Sequence, residues 1–159
     1  MILWGSLAGG AVGTVVVTGG LRLALELGLT RMDLPLLLGT IFSDDRRRAS
    51  LIGFGLNHAI GVLFALLYAA IFAGVGRAGW ELGLALGAVH AVFIGSGLVT
   101  VLLPAVNPRM GSQWSDAGET PLLEPPGFML FNYGRRTVVV TVVLHLAYGT
   151  IVGAFAAGL

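Results

Sequence analysis

Four stretches of 20 or more mostly apolar residues divide this chain of 159 residues. About 20 such residues, at about 1.5 Å of rise each, match a hydrocarbon core about 30 Å thick, so each stretch reads as a membrane-spanning helix. The expected spans are about 3–29, 49–75, 80–103 and 137–158, joined by links at 30–48 and 104–136 and by the tight turn Gly76-Arg77-Ala78-Gly79. Only 11% of residues are charged, against about a quarter in soluble domains. The expected fold is therefore an all-α integral membrane bundle forming one membrane domain, with the lipid bilayer as its first partner.

Composition also excludes several functions. A net charge of +1 gives no electrostatic support for binding nucleic acid. No cysteine is present, which removes disulfides, thiolate metal ligands and cysteine nucleophiles. All nine basic residues are arginine, in keeping with a GC-rich bacterial genome. The opening Met1-Ile2-Leu3-Trp4 lacks the basic start of a signal peptide, so the first apolar stretch is expected to be a retained helix.

The arginines orient the chain. With four spans, both long links share one side. They hold Arg31, Arg46, Arg47, Arg48, Arg109, Arg135 and Arg136, whereas Arg77 stands alone opposite. An excess of arginine marks the cytoplasmic side, so the links are expected inside and both termini outside.

The links resemble one another. Ile41-Phe42-Ser43-Asp44-Asp45-Arg46-Arg47 aligns without gaps on Leu130-Phe131-Asn132-Tyr133-Gly134-Arg135-Arg136, and Arg31-Met32 pairs with Arg109-Met110. Further on, Leu56-Asn57-His58-Ala59-Ile60-Gly61 matches Leu144-His145-Leu146-Ala147-Tyr148-Gly149 at three positions. A tandem helix–link–helix duplication, parallel about the membrane normal, would explain this; chance matching of Gly-, Ala- and Leu-rich helices is the alternative. In the first link Asp33 is placed to cap a short helix with Pro35 in its first turn, either interfacial or re-entrant, and to pair with Arg31. The second link, with Pro104, Pro108, Pro121, Pro125 and Pro126, is expected to form an ordered cap at the membrane surface. Its acids Asp116, Glu119 and Glu124 read as solvated, and Asp44-Asp45 reads as the cap of the following helix.

Small residues at helical spacing mark helix-packing seams. Gly9 and Gly13 serve the first span, Gly53 and Gly61 the second, Gly87 and Gly95 the third, and Gly149 and Gly153 the fourth. The first span also carries a polar stripe, Thr14, Thr18, Arg22 and Glu26, whose charged end suits an interfacial anchor.

Three histidines lie inside spans: His58, His90 and His145. Ionisable residues at that depth are costly and mark functional sites by default. Helical rise places them about 12–15 Å from the nearest span start, at one middle depth. They are the candidate cofactor-binding residues, with haem or a transition metal as the candidate guest, though neither is favoured. Asn57, Thr141, Ser96 and Tyr148 are candidate hydrogen-bond supports. A proton or ion path is the third reading, and simple interhelical hydrogen bonding the fourth. The repeat pairs His145 with Asn57, leaving His58 one position out of register. No nucleophile–base pair or phosphate loop is visible, so an enzyme is not the expected class.

The segments Arg31-Met32-Asp33-Leu34-Pro35 with Gly39-Thr40, and Glu124-Pro125-Pro126-Gly127-Phe128 with Asn132-Tyr133-Gly134-Arg135, resemble a group of small, uncharacterised bacterial inner-membrane proteins, loosely of the YagU type. The resemblance implies four spans and a bacterial inner-membrane location, and it brings no functional residues. Together these features favour a non-enzymatic accessory subunit of a larger membrane assembly, with a membrane protein partner or a second copy, over a histidine-lined haem, metal or transport protein.

Overall fold

The computed structural model describes residues 1–111 and 122–158. Asp116, Glu119 and Pro121 lie outside the described residues. The chain is all-α, with four helices long and apolar enough to cross a membrane. They are α1 (Ile2–Glu26), α3 (Arg46–Val75), the run from α4 (Trp80–Phe93) through a π-helical segment (Ile94–Leu102) into α5 (Leu103–Val106), and α6 (Arg135–Ala157). Short α2 (Leu34–Gly39) and a 3-10 segment (Phe128–Tyr133) precede α3 and α6.

Local chemistry sets the helix ends. α1 stops at Glu26 because Gly28 turns left-handed (φ 67°) and the Leu29 N–H doubles back to Ala24 O. Asp45 caps α3 by accepting from Arg48 N at 2.7 Å, and left-handed Gly76 ends it. Asp33 caps α2 through Leu36 N at 3.1 Å, with Pro35 in the first turn, as the sequence suggests. Both α3 and α6 begin ahead of the apolar run, at Arg46 and Arg135, the residues that align in the internal repeat.

Packing follows the glycines. α1 runs antiparallel to α6: a Cβ on Gly5 would overlap Phe155 O, one on Gly9 would lie 2.9 Å from Val152 Cα, and Gly13 lies under the Tyr148 ring. α4 is seated just as closely on α6, through Gly83 against Gly149 and Gly153 and through Gly87 against the His145 carbonyl. On its other side α1 meets α3, Gly10 against Ala65 and Thr14 against Gly61. α3 and α4 meet mainly through side chains, Phe64 and Tyr68 on one and His90 on the other.

Two seam assignments need correction. Gly53 faces the short α2, at Pro35 and Gly39, and not another span. Gly95 faces Met129 of the second link. Met129 and Leu130 are themselves left-handed (φ 49° and 66°), a strained pair held by the complete burial of Leu130.

The two links clasp each other. Arg31 reaches the second link, at Glu124 (3.2 Å) and the Asn132 carbonyl. Arg109 reaches the first, at Asp44 (2.9 Å) and the Thr40 carbonyl. Each arginine precedes a buried methionine, Met32 or Met110. Buried Asn107 donates to both Leu37 O and Thr40 Oγ1 at 2.9 Å. The Thr137 hydroxyl donates to Tyr133 O (2.8 Å), so Thr30 must donate in their mutual bond of 2.7 Å while accepting from Met32 N. Two expectations are thereby revised: Arg31 pairs with Glu124 and leaves Asp33 to its cap, and Glu124 is tied into the clasp. The Tyr133 hydroxyl donates to Glu124 O (2.7 Å), and burial, with the Glu124 carboxylate nearby, pushes its phenol above the usual range.

Candidate functional site

The histidines divide two and one. His90 (α4) and His145 (α6) meet edge to face with ring centroids 4.8 Å apart, and each is 7% exposed. Glycines bring them together, since Gly87 lets α4 lie directly on the His145 carbonyl. His58 instead lies on the outer flank of α3, its ring 4.2 Å from that of half-exposed Phe54 and its Nδ1 donating to Phe54 O at 2.9 Å. It does not join the pair. Asn57, not His58, occupies the inward position on α3.

Each inward ring is oriented by its own contacts. His145 Nδ1 donates to Thr141 O at 2.7 Å, one helical turn back. His90 Nδ1 lies 3.3 Å from the Tyr68 hydroxyl, and Phe64 lies over its ring with centroids 3.8 Å apart. Tyr148 stands edge to face with both His90 and Tyr68, and donates its hydroxyl to Gly61 O at 2.5 Å. Two sides of the pair are thus walled by aromatic rings. His90 Nε2 is buried with no hydrogen-bond partner among the described residues.

Beside the pair is a cavity of about 60 Å³, bounded by Thr14, Asn57, Phe64, His90, His145 and Tyr148 and, toward the links, by Leu34 and Leu38 of α2. The π-helical segment adds Ile94, Leu98 and Val99 to its wall. A π turn is a distortion often found at functional sites. Of the four expected supports, Thr141 meets the pair through its main-chain carbonyl and Tyr148 through its ring, and the hydroxyl of neither bonds a histidine. Asn57 lies on the cavity wall and donates to Thr18 Oγ1 (2.8 Å), whereas Ser96 bonds only its own helix at Val92 O.

The geometry bears on the candidate guests. Two histidines in edge-to-face contact leave no gap for a porphyrin between opposed axial nitrogens, and the cavity is far too small for one, so haem does not fit. Among the described residues no group of three or more His, Cys, Asp or Glu could hold a metal ion. A three-histidine centre is therefore not formed. The charged end of the α1 stripe is remote from this chemistry: Arg22 and Glu26 form an exposed pair at 2.7 Å.

Sequence reasoning missed Phe64 and Tyr68. Their signal is present but faint: they sit seven and eleven residues beyond Asn57, two and three helical turns along the face that carries Gly61.

Fold and site together define an all-α protein with four candidate membrane spans and a buried, aromatic-walled histidine pair. No family model, curated protein or solved structure matches the chain.

Proposed function

We propose that this is a protein of a bacterial cytoplasmic membrane, with its links inside and its termini outside, whose working centre is the His90–His145 pair and whose task is to hold or pass a small polar species within the membrane. The observation that carries this is the buried His90 Nε2, unpaired by any described residue, on a ring that lines the cavity with His145. Leaving such a group without a partner costs about 1–3 kcal/mol, which a guest in the cavity would relieve. The arginine excess in the links supports the orientation, and the resemblance to YagU-type proteins supports the location.

The test is reconstitution into vesicles with proton, ammonia and water fluxes measured. His90→Phe and His145→Phe keep a ring and remove its nitrogens. Each should lower at least one flux about tenfold, while His58→Phe should not. Equal fluxes in all four proteins would sink the reading.

A second reading, an accessory subunit of a larger membrane assembly, retains one specific support. Most ridge glycines are consumed inside the chain, but Gly19, Gly55 and Gly74 are exposed, and a methyl group added to any of them would meet nothing within 4 Å. Close approach by another helix fits such surfaces. A stoichiometric partner that leaves when Gly55 and Gly74 become Leu supports this reading; extraction from its native membrane without any partner counts against it.

A further inference from the structure

The hydrogen-bond polarity of the histidine cavity can be derived atom by atom. A carbonyl only accepts, so His145 must carry a proton on Nδ1 for Thr141 O, and its neutral ring offers Nε2 as an acceptor. Between Tyr68 and His90 the bond has two possible senses. If the Tyr68 hydroxyl donates, its hydrogen is satisfied and the His90 proton sits on Nε2. The reverse strands the hydroxyl hydrogen of a tyrosine only 2% exposed, a costly choice. Thr18 uses its hydrogen on Thr14 O (2.7 Å), so Thr18 Oγ1 must accept from Asn57 Nδ2. That fixes the amide and leaves Asn57 Oδ1 as an acceptor. Thr14 turns its own hydrogen to Gly10 O. His90, His145 and Asn57 all line one cavity, and their side chains hold one donor, His90 Nε2–H, and two acceptors, His145 Nε2 and Asn57 Oδ1, with no partner shown among the described residues.

We infer that the cavity binds a neutral, water-sized hydride that donates two hydrogen bonds and accepts one, either water or ammonia. This rests on the histidine pair being the working centre. Size agrees: a water takes about 30 Å³ of liquid and needs two to four polar partners, and about 60 Å³ holds one or two such molecules. Charge agrees as well. A metal cation or ammonium would face the N–H of His90, and an anion would face two lone pairs.

The test is nitrogen-15 NMR of the histidine-labelled protein in lipid bilayers. Opposite tautomers are expected, Nε2–H on His90 and Nδ1–H on His145, with a cross-peak from solvent-derived protons to His90 Nε2–H. Asn57→Leu should lose that cross-peak and keep both tautomers. To separate the two hydrides, vesicles are given an ammonium gradient. Interior alkalinisation above that of protein-free vesicles, lost in His90→Phe, names ammonia; a cross-peak without that flux names water. A metal ion or ammonium bound to the Nε2 atoms overturns the neutral-guest inference but leaves the pair as the working centre. A dry pair with neither cross-peak nor bound ion overturns both.

Discussion

The α1–α3 pair and the α4–α6 pair each join the helices that flank one of the two long links, and they are closed by different means. In the first, side chains fill the seam: Thr14 lies over Gly61, and Asn57 reaches Thr18. In the second, backbone meets backbone, so that a Cβ on either Gly83 or Gly149 would overlap the other's carbonyl oxygen. A threonine can rotate out of the way, whereas a carbonyl moves only with its helix. The rigid seam is also the one that carries the histidine pair. Precise placement of a buried ring calls for the less compliant contact.

The comparison can be broken at its strongest point first. Gly149→Leu should wedge α4 from α6 and destabilise the protein by about 3 kcal/mol or more, at the upper end of overpacking effects. Unfolding in mixed micelles with increasing SDS measures this, and a midpoint equal to wild type would refute the rigid-seam description. Gly61→Ala should cost only about 1 kcal/mol, because Thr14 can yield. If it proves as damaging as Gly149→Ala in the same assay, the contrast between the seams is wrong. Asn57→Leu removes one interhelical hydrogen bond, worth about 0.6 kcal/mol on average in a membrane protein. A much larger loss would mean that Asn57 supports more than Thr18. His58→Leu, on the outer flank, should stay within about 0.5 kcal/mol of wild type. A drop comparable with that of His145→Leu would give His58 a role that its position does not supply.

The spans were legible because apolar length is a strong signal. Expected spans 49–75 and 80–103 compare with Arg46–Val75 and Trp80–Val106 in the structure. The errors lie at the polar ends, where arginines extend the helix past the apolar run, and at Gly28, whose left-handed turn ends α1 before the hydrophobic residues run out. The π-helical segment left no periodic trace, since widening a turn changes hydrogen-bond partners and not composition. The meeting of His90 and His145 could be anticipated from a shared depth and the glycines near each. Tyr68 is signalled only faintly, because its approach depends also on how far α3 stands from α4. The clasp was illegible for a similar reason: Arg31 finds Glu124, 93 residues away, only once both links have folded over the bundle.

That reciprocity has a consequence in time. A chain is made from its N-terminus, so α1, α2 and α3 exist before any residue of the second link. Until Asn107 and Arg109 emerge, the Thr40 carbonyl lacks its side-chain donor, the Leu37 carbonyl has only the Thr40 hydroxyl, and Leu34 and Leu38 of α2 lack α4 and α6 across the cavity. The half-made protein is thus an unfinished lid above an open floor. Helix α6, which follows the other described helices in the chain, brings His145, the Gly149 and Gly153 contacts for α4, and Thr137 for Thr30 in one step. The centre therefore cannot form until α6 has been made, and an intermediate that lacks α6 could not carry its chemistry.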